Sequence, residues 1–144
     1  VLVILKDDIE GVPGLIGVSN HQGSKATENK ETMKIILNEL KKRNLFFLDS
    51  RTTPVSVCGN IAREIGLRYA ERGVFLDLAQ TKDDKQYRAY VKKQIKKLID
   101  MAKANGDAIA IGHDKKITLE VIKDSIPEIE KEKIKIVPLK KLVR

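Results

Sequence analysis

Leu15-Ile16-Gly17-Val18-Ser19-Asn20-His21-Gln22-Gly23-Ser24 is the stretch on which the fold of this chain turns. A short apolar run followed at once by polar residues, a histidine and a glycine reads as a β-strand that delivers a functional side chain to its C-terminal end, where α/β proteins keep their chemistry. The chain has only two histidines. The second repeats the pattern: Ala108-Ile109-Ala110-Ile111 reads as a buried strand, and Gly112-His113-Asp114 follows it directly. Two histidines, each at a strand mouth, predict one shared site.

Outward from these two points, strand-like and helix-like segments alternate. Met33, Ile36, Leu37 and Leu40 fall on one face of a helix that Thr27 is expected to cap, with Glu28 and Glu31 in its first turn and a stop near Asn44. Leu45-Phe46-Phe47-Leu48 is a continuous apolar run, as in a strand buried on both faces, and it presents Asp49, Ser50 and Arg51 at its end. Thr53-Pro54 is expected to open a helix with Cys58, Ile61, Ala62 and Ile65 inward and Gly66 closing it. Val74-Phe75-Leu76 is a strand ending at Asp77. The longest helix runs from about Asp84 to Ala104, with Tyr87, Tyr90, Val91, Ile95, Leu98 and Ala102 as its core stripe. Lys92, Lys93, Lys96 and Lys97 lie mostly outside that stripe, as on a solvated face. A helix capped by Thr118 and limited by Pro127 follows the His113 strand. Ile134-Lys135-Ile136-Val137 is the expected last strand. Leu2 to Ile9, which contains Asp7 and Asp8, reads as the end of a helix; its catalytic alternative is a strand ending in an Asp-Asp pair, but too few residues separate it from Leu15 to hold a βα unit.

Alternation of this kind predicts parallel βαβ units in a single α/β domain over residues 1–144, with a largely parallel sheet or barrel. Every strand then points the same way, and His21, Asp49, Arg51, Asp77 and His113 gather on one rim. Such a set can bind a divalent metal, activate water and stabilise an oxyanion. Asp49 can instead cap the loop after its strand, a role preferred for Asp77, and Arg51 can simply pair with Asp49.

Composition narrows the partners. A net charge of +8 suits anions such as nucleic acid, wall polymers or acidic head groups. Aromatic residues are only 4% of the chain, and no helix-turn-helix, zinc-finger or stacking pattern occurs, so specific nucleic-acid binding is not expected. The single cysteine, Cys58, excludes an internal disulfide and reads as a small core hydrophobe. No apolar run approaches the roughly 20 residues of a transmembrane helix, and the first residues lack a signal-peptide pattern.

Four blocks carry a family resemblance: Gly17-Val18-Ser19-Asn20-His21-Gln22-Gly23-Ser24-Lys25-Ala26-Thr27, Phe46-Phe47-Leu48-Asp49-Ser50-Arg51-Thr52-Thr53, Val74-Phe75-Leu76-Asp77, and Ala108-Ile109-Ala110-Ile111-Gly112-His113. In this order they resemble the divergent polysaccharide deacetylase family. The resemblance implies a (β/α) barrel-like deacetylase fold and metal-dependent removal of acetyl groups from an acetylated cell-envelope glycan, with a divalent metal, zinc, as cofactor and an extracytoplasmic or envelope-associated location. It implies His21 as a metal ligand, Arg51 as the group that orients an acidic residue, and His113 as the general acid. With Asp49 these make the candidate catalytic set, and Asn20, Gly23, Ser24 and Ser50 are the candidate substrate-binding residues.

The chain also departs from the family pattern. Gly23, Ser24 and Thr27 stand where related deacetylases place a second metal histidine, and Asp114 stands where a proline follows the histidine block. The family's opening strand, which ends in Asp-Asp and supplies the base, is expected upstream of Val1. The expected five strands fall short of the roughly seven or eight that close a barrel, so the N-terminal strands are expected to be missing and the uncovered edges to favour self-association. The alternative from another class is a non-catalytic glycan or polyanion binding module.

Overall fold

Gly17 shows how tightly the first strands are laid together. A Cβ at this position would sit 2.4 Å from the Phe46 ring, so only glycine lets the two strands close over that aromatic. The computed structural model describes residues 1–144 and divides them into two compact units, Val1–Glu71 with Leu139–Arg144, and Arg72–Pro138. Parallel strands alternate with helices, and the strands form no closed barrel.

In the first unit, β1 (Gly17–Ser19), β2 (Phe46–Asp49) and β3 (Tyr69–Glu71) form a parallel sheet in the order β1-β2-β3. All four residues of β2 are buried, as its unbroken apolar run predicts for a central strand. The helices are α1 (Leu2–Glu10), α2 (Ser24–Glu28), α3 (Lys30–Lys42) and α4 (Cys58–Ile65). Met33, Leu37 and Leu40 of α3 meet Cys58, Ile61 and Ala62 of α4 and Phe47 of β2 in one core. Full burial of each large aliphatic side chain there contributes about 1.5–3 kcal/mol. Cys58 is part of this core, and burial pushes its thiol up to about 11.

The second unit pairs β4 (Val74–Phe75) in parallel with β5 (Ala110–Ile111) and covers them with α5 (Asp84–Asn105) and α6 (Lys116–Lys131). Tyr87, Val91, Ile95 and Ile99 of α5 pack with Val74, Leu76, Val121 and Ile129. Gly106, at φ +87, ends α5 in the left-handed conformation that favours glycine. Lys92, Lys93, Lys96 and Lys97 are exposed, as expected.

Several local expectations need correction. Thr27 does not cap α3; it is buried, and its hydroxyl donates to the carbonyls of Gly23 and Ser24, while Asn29 caps α3 by accepting from the Thr32 backbone N–H at 2.8 Å. Thr53-Pro54 lies in a turn, and α4 begins only at Cys58, whose N–H donates to the Ser56 hydroxyl at 3.3 Å. Pro127 does not end α6. The carbonyl that its missing N–H leaves unpaired belongs to exposed Lys123, where water can satisfy it, and Val121 and Ile129 hold the helix to the core on either side. Ile134 to Val137 forms no strand, since Ile134 packs on the core directly after α6 while Ile136 is exposed. β3, not expected from the sequence, supplies the fifth strand. Leu2–Glu10 is the helix the spacing predicts, and Asp7 and Asp8 lie exposed on it.

Candidate functional site

Register builds the site in each unit. In the second, Phe75 pairs with Ile111 across parallel strands. Two residues further along both chains, Asp77 and His113 therefore emerge side by side. One oxygen of Asp77, Oδ1, lies 2.9 Å from His113 Nδ1; the other, Oδ2, accepts the His113 backbone N–H at 2.9 Å and the Thr118 hydroxyl at 3.1 Å. Tyr87 donates its hydroxyl to the Asp77 backbone carbonyl at 3.3 Å. The Phe75 ring packs against the imidazole with centroids 5.4 Å apart.

Burial of Asp77, which is 1% exposed, would raise its pKa. Hydrogen bonds from the His113 backbone and ring and from Thr118 outweigh that and hold the carboxyl below its ordinary value. An ionised carboxylate on Nδ1 fixes the imidazole's orientation and tautomer, so proton exchange with a bound molecule falls to Nε2. The capping role preferred for Asp77 on sequence is thus replaced by an aspartate–histidine pair. Thr118, expected as a helix cap, is fully buried inside the first turn of α6 and gives its hydroxyl to Asp77.

In the first unit, Ser19 pairs with Leu48, so Asn20 and Asp49 follow as neighbours and Ser50 sits within reach of Asn20. The Ser50 backbone N–H donates to Asn20 Oδ1 at 2.7 Å, and its hydroxyl donates to the Asn20 carbonyl at 2.5 Å. Asn20 Nδ2 is the one buried side-chain polar atom with no hydrogen-bond partner. An unmet buried donor costs about 1–3 kcal/mol.

Asp49 is wholly buried, and both its oxygens are engaged: Oδ1 accepts the Arg51 backbone N–H at 2.8 Å, and Oδ2 accepts the hydroxyls of Ser56 at 2.6 Å and Tyr69 at 3.3 Å. The Arg51 guanidinium reaches Glu71 at 3.1 Å, so its tie to Asp49 runs through the backbone and not through the expected ion pair. Arg51 sits at φ +48, a left-handed conformation strained for a non-glycine residue and enriched at functional turns. Tyr69 stays a phenol donor, because burial, helped by the charges of Asp49 and Glu71, raises its pKa strongly.

His21 is exposed in the loop after β1, followed by Gln22 at φ +57 and Gly23 at φ +72, the residue from which α2 starts at Ser24. Catalytic zinc takes about three protein ligands with a water. No three His, Cys, Asp or Glu side chains of this chain gather to hold a metal ion. His21 is one ligand type at a strand mouth and does not make a metal centre by itself.

Comparison with known proteins places these features. The chain is 43% identical over 107 residues to an uncharacterized Haemophilus influenzae protein, covering 74% of this chain and 36% of that one. It is 35% identical over 123 residues to the uncharacterized protein YibQ of Escherichia coli, covering 85% of this chain and 37% of YibQ. The chain thus spans a little over a third of the length of these curated relatives. The crystal structure of uncharacterized protein ATU2773 from Agrobacterium tumefaciens C58 superposes with a TM-score of 0.85 at 24% identity over 96% of this chain and 57% of that one, which shows a shared fold. No helix is long and apolar enough to cross a membrane. The family model of the divergent polysaccharide deacetylases matches residues 1–143, and the chain belongs to the divergent polysaccharide deacetylase family.

Proposed function

We propose that this chain supplies the proton-donating half of a deacetylase-type hydrolase that removes acetyl groups from an acetylated amino-sugar glycan of the cell envelope. The observation that carries the reading is the Asp77–His113 pair, a carboxylate 2.9 Å from an imidazole at the mouth of a parallel strand pair. As water adds to the acetyl carbonyl and the C–N bond of the tetrahedral intermediate breaks, His113 gives its proton to the departing amine and acetate is left. Asp77 holds the ring for that transfer. Asn20 with Ser50, which it holds through two hydrogen bonds, and Gly23 and Ser24 at the start of α2 are the substrate-binding residues of this reading. Asp49 shapes the turn that carries Ser50 and Arg51. Zinc enters the proposal from the family alone, with His21 as the ligand this chain offers. The same holds for the envelope location, whereas self-association rests on open sheet edges and exposed apolar side chains.

A specific observation favours the second reading, a glycan-binding module without turnover. Asp49, the carboxylate nearest the first unit's loops, has both oxygens taken by protein donors and is 0% exposed, which suits it poorly to act as a base. The two readings separate in one experiment. Acetate release from acetylated amino-sugar oligomers is measured with zinc present, for these 144 residues and for a longer polypeptide extended upstream of Val1. Release by the longer form supports the hydrolase. Binding without release by either form supports the module.

A further inference from the structure

The cleft between α4 and β3 in the first unit plays no part in that proton transfer. It encloses about 640 Å³, a volume in the range of about 300–1,000 Å³ typical of small-molecule sites. Four arginines line it, Arg51, Arg63, Arg68 and Arg144, against two carboxylates, Asp49 and Glu71. Glu71 offsets Arg51, but neither carboxylate pairs with Arg63 or Arg68. Asp49 is buried beneath its three hydrogen bonds, and Glu71 is already held by the Arg51 guanidinium and by the Tyr69 hydroxyl at 3.2 Å.

Arg68 directs one nitrogen at the Asn44 carbonyl at 2.7 Å, which anchors the side chain but leaves its charge uncompensated. No carboxylate lies within ion-pair distance of Arg63 or Arg68. Like charges lining one cleft repel, and an anion bound among them reduces that cost. Gly59 keeps the α4 side of the cleft open: a Cβ there would come within 3.3 Å of the Tyr69 hydroxyl. A guanidinium offers a planar fork of donors that matches the paired oxygens of a carboxylate or phosphate.

We propose that this cleft binds an oxyanionic small molecule, held chiefly by Arg63 with Arg68. The proposal goes beyond the deacetylase reading and does not depend on it, because His113 takes no part. Calorimetric titration of the 144-residue chain at low ionic strength tests it, with inorganic phosphate and citrate as probes and N-acetylglucosamine as the uncharged control. Saturable binding of phosphate or citrate but not of the sugar is expected, and the tighter of the two anions identifies phosphoryl or carboxyl chemistry as the source. Arg63→Glu should weaken binding by about tenfold or more, the loss of a charge-assisted fork, while Arg63→Lys retains part of it and His113→Ala retains all. Arg63 is exposed on α4, and a matching melting temperature shows that the variant is folded. No saturable anion binding, undiminished binding by folded Arg63→Glu, or loss of binding in His113→Ala would overturn the proposal.

Discussion

Replacing Asp77 by asparagine changes one oxygen to an amide nitrogen and leaves the shape almost untouched, so its effects report on charge and hydrogen bonding alone. In the native protein the two carboxylate oxygens serve three partners: the His113 ring, the His113 backbone N–H and the Thr118 hydroxyl. An asparagine keeps one acceptor oxygen, and its NH2 group faces at least one of these donors. With Asp77 itself 1% exposed, water cannot reach the substituted side chain to replace what is lost. Hydrogen bonds to a charged group are worth about 1.5–3 kcal/mol each, and an unmet buried donor costs a similar amount, so a net loss of about 2–4 kcal/mol is expected in urea unfolding. Nitrogen-15 NMR of the imidazole should show Nδ1 protonated in the native protein at neutral pH and a mixture of tautomers in Asp77→Asn. Stability within about 0.5 kcal/mol of the native chain, with an unchanged tautomer, would rule out this role for the carboxylate.

Three other outcomes are expected of the same geometry. Because the folded Asp77 carboxyl lies below its ordinary value, its contribution is complete above the unfolded pKa and is lost as pH falls below about 4; urea midpoints should drop there in the native chain and less in Asp77→Asn, and parallel acid sensitivity would contradict this. Cys58, with its thiol near 11 inside the α3–α4 core, should resist iodoacetamide at about pH 8 until urea unfolds the chain, and rapid labelling of the folded protein would show that the core is open. Sheet edges and exposed Val3, Ile4, Val12 and Ile16 should drive concentration-dependent association visible by light scattering; a monomer at every concentration would end the case for self-association.

How much of this was legible beforehand depends on how many residues carried each signal. The 22-residue helix α5 shows its period over six turns and is bounded by Asp83 and Gly106, so both ends are readable. β2 is four buried residues opening on an apolar run and equally plain. β3 is Tyr-Ala-Glu, three residues with one buried, too short for alternation to stand out, and its existence depends on pairing with β2. Ile134-Lys135-Ile136-Val137 has better alternation than β3 and no partner strand, so local pattern misleads where pairing decides.

The site followed the same rule. Strand ends located Asn20, Asp49, Asp77 and His113, because position along the chain is enough for that. The roles of Asp77 and Thr118 needed the register of β4 on β5, which sets residue 77 beside residue 113 and is not written in either segment alone. The signal available was that each apolar run closes on a polar residue, Asp77 directly after Leu76 and His113 after Gly112.

On the deacetylase reading His113, oriented by Asp77, gives up a proton as an acetyl group leaves an amino sugar. The rate of acetate release from acetylated amino-sugar oligomers, measured on a longer polypeptide that includes this region, with and without His113→Ala, bears on that step without intermediaries. A fall of about 10²–10⁴-fold is expected, the usual worth of a positioned general acid, with oligomer binding retained. Turnover unchanged by His113→Ala would mean that the proton comes from elsewhere.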